Sequence, residues 1–209
     1  YDLIDILADN GNESETDMVI TTNGSKVDLN KLQKFENLKF FELDLSIDAP
    51  SSMFEYMRSA GIFTWEQMSK LIDDLTYFKK QNSSWFHMCF NASIQAYNYD
   101  TILEFDSVCR KAGALNNTRM LIFPEHFRLN VLPYKYRKEQ FDKIYDYKVV
   151  NDPRFKRTHM DICKNLLQEQ ADESVVNKFK ELTIAQDEYR KMSIKDFHPL
   201  LADFVYQGK

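Results

Sequence analysis

The sequence predicts an α/β fold in which strands and helices alternate up to about Pro133 and helices alone follow. Three observations carry this. Phe41, Leu43, Leu45 and Ile47 alternate strictly with Glu42, Asp44, Ser46 and Asp48, the period-2 pattern of a two-faced strand. Met68, Leu71, Ile72, Leu75 and Phe78 instead follow the i, i+3, i+4, i+7 spacing of an amphipathic helix. The connections between predicted strands are long enough for helical crossovers, which join parallel strands in right-handed βαβ units. Four strands in the first part of the chain suit half of a barrel or a small open sheet, and composition does not choose between the two.

In chain order, Leu3, Ile4 and Leu7 share one helical face, and Asn10-Gly11-Asn12 supplies a C-terminal stop. The chain begins at Tyr1 within this helical pattern and without an initiator Met, which predicts further sequence upstream. A strand over Met18 to Thr22 follows an acidic loop. Asp28 is placed to cap a helix through Leu29, Leu32 and Phe35, which leads to the alternating strand Phe40 to Asp48. Thr64 with Gln67 forms a capping-box pair ahead of the amphipathic helix. The third strand, Trp85 to Ile94, sets His87, Cys89, Asn91 and Ser93 on one side and Phe86, Met88, Phe90 and Ala92 on the other, with Gln95 continuing the polar set. Ile102, Leu103, Val108 and Cys109 mark a helix closed by Gly113. Arg119 to Phe123 reads as a short buried strand ended by Pro124, and Leu129 to Leu132 as a further extended piece. The remainder, 134–209, reads as a helical extension of the βα units in 1–133.

Length and a 44% hydrophobic content allow one domain with a sizeable core. A net charge of −5 gives no electrostatic support for nucleic-acid binding, and this outweighs the cluster Tyr134, Tyr136, Arg137 and Lys138. No apolar stretch reaches membrane-spanning length and no signal peptide is visible, so the expectation is a cytoplasmic protein with no membrane contact. Cys89, Cys109 and Cys163 are too widely spaced for a local metal or cluster motif and fit reduced, packed thiols. His126, His159 and His198 show no ligand-like spacing to one another. The basic run Arg154 to Arg157 reads as a solvated helix end that could also grip a phosphate-bearing partner.

The polar strand ends carry the functional signal, because ligands of α/β proteins gather at the carboxyl ends of strands. Ile20-Thr21-Thr22-Asn23-Gly24-Ser25, followed some twenty residues later by Leu45-Ser46-Ile47-Asp48-Ala49, with Arg58 beyond it, resembles the "TNG" and "SIDG" strand ends of radical S-adenosylmethionine (SAM) enzymes. The stretch from Phe179 to Leu201, with Asp187, Arg190 and Phe197-His198-Pro199-Leu200, is similar to the closing helix of twitch-domain members of that family, which are often phage or bacterial proteins.

The resemblance implies a partial (βα)6 TIM-like barrel, N-terminally truncated in this sequence, with a helical C-terminal extension. It implies SAM and a 4Fe–4S cluster as cofactors and hydrogen abstraction from a small-molecule or peptide substrate of unknown identity. The family's Cys-x3-Cys-x2-Cys motif and its GGE turn are absent here and belong upstream of Tyr1 in a typical member. By the same resemblance the cofactor-binding residues are Thr21, Thr22, Asn23, Ser46, Asp48, Arg58, Asn91 and Gln95: Ser46 for the SAM carboxylate or ribose, Arg58 for the carboxylate, Asn91 and Gln95 for the ribose and adenine edge, and Asp48 toward SAM or substrate. The residue types suit such a ligand, which needs a cation, hydroxyls, amides and a carboxylate.

Other readings of the same residues stay open. Thr21-Thr22-Asn23-Gly24 also suits a turn that needs Asn-Gly for its backbone alone. Glu42 and Asp44 would be solvated if the sheet is open. Two further functional classes follow: a non-catalytic α/β binding or scaffold domain without a cluster, and an unrelated barrel enzyme that uses Asp44, Asp48 and His87 for acid–base work.

Overall fold

The computed structural model describes residues 5–6, 11, 13–59, 62–151 and 156–207, apart from the side chains of 59, 148–151 and 156–159. The N-terminal helix around Leu3, Ile4 and Leu7, the stop residues Asn10 and Asn12, the start of the basic run Arg154 to Arg157 and the side chain of His159 lie outside the described residues.

Four strands form one parallel sheet: β1 (Asp17–Thr22), β2 (Phe40–Ser46), β3 (Phe86–Ile94) and β4 (Leu115–Met120), in the order β1-β2-β3-β4. Sequential order without reversal means that each crossover adds a strand on the same side of the last, so the crossovers share one face of the sheet. Between the strands run the short α1 (Leu29–Leu32), then α2 (Ser51–Phe54) passing into a π turn at Glu55–Ser59, α3 (Trp65–Gln81) and α4 (Ile102–Ala112). After β4 the chain turns helical as α5 (Tyr134–Asn151), α6 (Lys156–Leu166), α7 (Glu173–Arg190), α8 (Ile194–Phe197) and α9 (Pro199–Tyr206). No helix among the described residues is long and apolar enough to cross a membrane.

Local chemistry accounts for these boundaries. The Asp28 carboxylate accepts from Asn30 N at the start of α1. At α3, Thr64 Oγ1 accepts from Gln67 N at 3.2 Å while Gln67 Oε1 accepts from Thr64 N at 2.9 Å, a complete capping box. Gly113 ends α4 with φ +63°, a conformation open to glycine at little cost. Two expectations fail. The fourth strand is Leu115–Met120, four residues earlier than read from sequence, and it is an edge strand; Ile122 and Phe123, which looked like buried strand residues, are 71% and 79% exposed in the loop beyond it. Leu129–Val131 forms a 3-10 turn and not an extended segment.

The apolar face of the sheet carries the core. Phe41, Leu43, Leu45 and Ile47 are at most 2% exposed, and Phe86, Met88, Phe90 and Ile94 pack beside them under Met68, Ile72 and Leu75 of α3 and Phe105 and Cys109 of α4. Burial of aliphatic side chains such as these stabilises by about 1.5–3 kcal/mol each. The C-terminal helices share this cluster through Phe179, Leu201 and Val205. Their polar anchor is Asp187, 6% exposed, which accepts from the Tyr56 hydroxyl at 2.9 Å, the Tyr206 hydroxyl at 2.7 Å and Ile194 N at 2.9 Å. Arg190 donates to the Tyr56 carbonyl beside it, and Tyr97, fully packed nearby, hydrogen-bonds Thr183 Oγ1 at 2.9 Å. Tyr56 and Tyr97 thereby tie α7 to the segments that follow β2 and β3.

Burial raises the ionisation of these phenols: Tyr97 is pushed up to about 12, and Tyr56, desolvated and facing Tyr97 and Asp187, lies higher still. Unfolding returns both to the ordinary value near 10. Above that pH the unfolded chain holds fewer protons than the folded one, so stability is complete below about pH 10 and falls as pH rises toward the folded values. Urea unfolding between about pH 8 and 11 should show this loss, with tyrosinate absorbance of the buried phenols appearing only as the protein unfolds; full ionisation of all tyrosines in the folded state at about pH 10.5 would contradict it.

Candidate functional site

The opposite face of the sheet is polar throughout its middle. Parallel register places Val19, Glu42 and His87 on one rung, Thr21, Asp44, Cys89 and Leu115 on the next, and Ser46, Asn91 and Asn117 nearer the carboxyl ends, with Ser93 opposite Arg119 at the rim. Strand alternation alone dictates this, since residues two apart share a face. The two flanking apolar residues, Val19 and Leu115, are 55% and 62% exposed, while Glu42, Asp44, Ser46, His87 and Asn91 of the central strands are half-buried.

A cavity of about 290 Å³ opens over the carboxyl half of this face, lined by Thr21, Asp44, Ser46, Asn91, Asn117 and Arg119. Asn117 Nδ2 donates to Asn91 Oδ1, and Arg119 Nε reaches Asn117 Oδ1 at 3.3 Å. This chain aligns two amides and presents the Arg119 guanidinium at the rim; among the described residues Arg119 has no carboxylate partner. A larger hollow of about 380 Å³ lies between Arg128, Gln168 and Asp172, away from the sheet face, and holds none of the residues singled out at the strand ends.

Of the residues singled out in the sequence, Thr21, Ser46 and Asn91 converge on the cavity. The others have different surroundings. Thr22 points to the opposite face, where its hydroxyl accepts from Gly24 N at 3.2 Å beside Val27, Leu32 and Phe41. Asn23 Oδ1 accepts from both Ser25 N and Ser25 Oγ, which closes an Asx turn. Gly24 holds φ +84°, where any side chain is strained, and a Cβ there would crowd the side-chain ends of Met68 and Leu71 at 3.1 Å. Three of the four residues Thr21-Thr22-Asn23-Gly24 thus serve the turn. Gln95 lies past the end of β3, where its N–H donates to Asn98 Oδ1.

Asp48 and Arg58 meet each other. Asp48 Oδ2 accepts from Arg58 Nε and Nη2, both at 2.7 Å, and Asp48 Oδ1 accepts from Ser93 N at 2.8 Å. The Asp48 carbonyl accepts from Asn98 Nδ2 at 2.8 Å, and Asn98 is fully buried. Asp48 holds φ +62°, a left-handed conformation that Asp tolerates better than most residues, and Ser51 holds φ +58° three residues on. Strained backbone and a π turn beside a polar cleft are common features of binding sites. Here they bring Arg58 back over the end of β2 and latch β2 to β3.

The amino-terminal half of the polar face is acidic. Burial raises the Glu42 carboxyl above the usual range, with the charge of Asp44 and a hydrogen bond to it adding to the effect. Cys89, 5% exposed, is pushed up to about 12 by burial first and then by Asp44 and Glu42. Asp44 Oδ1 is screened from solvent and has no hydrogen-bond partner. His87 stacks on Phe40 at 4.6 Å, and burial, with Lys79, lowers its basicity. An acid–base trio of Asp44, Asp48 and His87 is not assembled: Asp48 is spent on Arg58 and Ser93, beyond the carboxyl end of the strand, while His87 lies toward the other end.

Asn117 and Arg119 were missed in the sequence because β4 was placed too late; the signal was the Gly113 stop, after which Asn117 and Arg119 alternate with Thr118. The three cysteines sit on three different elements, β3, α4 and α6, and none belongs to a closely spaced cysteine motif of the kind that ligates an iron–sulfur cluster. Comparison with protein-family models, with curated proteins and with solved structures gives no match.

The Asp48 latch predicts a graded response. Asp48→Ala strands Ser93 N and places a residue poorly suited to φ +62° in the turn, which should cost about 1.5–3 kcal/mol in urea unfolding. Asp48→Asn keeps an acceptor and tolerates that backbone, so about 1 kcal/mol is expected. Equal losses would mean that neither contact nor backbone strain matters there.

Proposed function

We propose that this chain is the C-terminal part of a radical SAM enzyme and that the polar sheet face is the lumen wall of a partial TIM-like barrel that binds SAM. The supporting observation is the sequential, all-parallel order of four strands with the core side chains of β2 and β3, Cys89 apart, on one face and a set of hydroxyl, amide and charged groups on the other. A sheet of this order has no topological switch point, so its ligand site is the polar face and the carboxyl rim instead of a crevice between reversed halves.

SAM is a zwitterion with ribose hydroxyls and an adenine. Thr21, Ser46, Asn91 and Asn117 supply hydrogen-bonding partners for the sugar and base, Asp44 faces the ammonium, and Arg119 is the cation for the carboxylate. Arg58 acts one step back by holding Asp48, and through it the β2–β3 rim. When bound, SAM supplies the deoxyadenosyl group for hydrogen abstraction from a substrate of unknown identity; the chain's own groups bind and orient it. The cysteines described here do not fit the cluster, whose ligands the resemblance places upstream of Tyr1, and no step is assigned to it.

One observation favours a second reading, an α/β binding domain without a cluster: the arginine that the family pattern assigns to the SAM carboxylate is already paired with Asp48.

The test uses protein expressed from the complete gene with its native upstream sequence, reconstituted anaerobically with iron and sulfide. The proposal predicts a four-iron cluster and reductive cleavage of SAM to 5′-deoxyadenosine, with SAM binding about tenfold weaker in Asn91→Ala. Folded protein with no cluster and no SAM binding would overturn it in favour of the binding domain.

A further inference from the structure

We propose that Glu42, Asp44 and Cys89 form a binding site for a divalent transition-metal cation, zinc foremost, at the inner end of the polar cavity. Each side chain offers one ligand atom, and these atoms lie within 4.8 Å of one another across β2 and β3. Zinc binds carboxylate oxygen at about 2.0–2.2 Å and thiolate sulfur at about 2.3 Å, and Glu42, the longest of the three side chains, can close the remaining gap.

A second observation concerns the hydrogen bonding of Asp44 rather than its distance to the other two. Asp44 Oδ1 is shielded from solvent and has no partner of its own, the bonds of Asp44 with Glu42 and Cys89 lying within the same trio, and a buried oxygen left over is rare enough to call for an explanation. A cation bound between the three groups supplies what that oxygen lacks. It also accounts for a buried thiol packed against two carboxylates.

The donor set selects the metal. Two carboxylates disfavour a soft monovalent ion, and a thiolate disfavours magnesium and calcium, which leaves the borderline divalent ions. Three protein ligands leave a tetrahedral ion one exchangeable position, and Asp44 lines the cavity, so that position is on the ligand side. On binding, the metal–sulfur bond forms as the S–H bond breaks and the proton passes to solvent. The site shares Asp44 with the proposed SAM wall but uses neither the amide chain nor Arg119, and metal binding measured without SAM tests it separately.

The test is titration of the folded protein with Co²⁺ alone, followed by near-ultraviolet absorption, with displacement by Zn²⁺. One equivalent should bind with a sulfur-to-cobalt charge-transfer band. Cys89→Ser should abolish the band, Asp44→Asn and Glu42→Gln should each weaken binding by at least the roughly 10–100-fold typical of changes around a metal site, and Cys109→Ser and Cys163→Ser should change nothing. Circular dichroism establishes folding of each variant, and any one of the three ligand variants that folds suffices for the comparison. Absence of the band in the folded wild-type protein, or a band that survives Cys89→Ser, would overturn the proposal.

Discussion

Everything in this structure depends on the two-sidedness of the central strand pair. Because β2 alternates apolar and polar residues without a break and β3 follows nearly the same rhythm, one face must be covered and the other must meet water or a polar ligand. Parallel register then lines the polar side chains up in rungs, so residues more than forty positions apart in sequence, such as Ser46 and Asn91, become neighbours. A shift of one residue in either strand would exchange the faces and destroy core and cavity together.

The rim is built differently. Left-handed backbone at Asp48 and Ser51, a π turn through Arg58 and a buried Asn98 concentrate conformational cost within a few residues of the cavity mouth. Each is held by specific hydrogen bonds: Ser93 N and Arg58 to Asp48, Asn98 to the Asp48 and Ser93 carbonyls. Such strain persists only where the surroundings over-determine it, and here Asp187 does so from the other side by fixing Tyr56 against α7. The helical extension therefore braces the rim.

Much of this was readable in the sequence. The strand alternation from Phe41, the capping box at Thr64 and the Gly113 stop were each local patterns with local causes; the last two appear as read, and the strand stops at Ser46, two residues short of Asp48, which turns left-handed. The failures were equally physical. Asn116 and Asn117 are poor strand formers, whereas Ile122 and Phe123 look like strand core, so the reading slid toward the apolar residues; pairing with β3, a non-local term, settles the strand at Leu115–Met120. The Asp48–Arg58 pair and the Tyr56–Asp187 bond were invisible because they depend on a backbone turn and on a contact 131 residues long. Thr22 shows the limit of motif logic: its neighbour faces the cavity, and it does not.

The most direct test of the account is amide hydrogen exchange of the full-length protein with and without saturating SAM. If the polar face is the binding wall, protection should rise at the carboxyl ends of β2, β3 and β4, around 44–48, 91–95 and 117–119, and remain unchanged in α5 to α9. Saturation without protection at those strand ends, or protection confined to the helical extension, would contradict it.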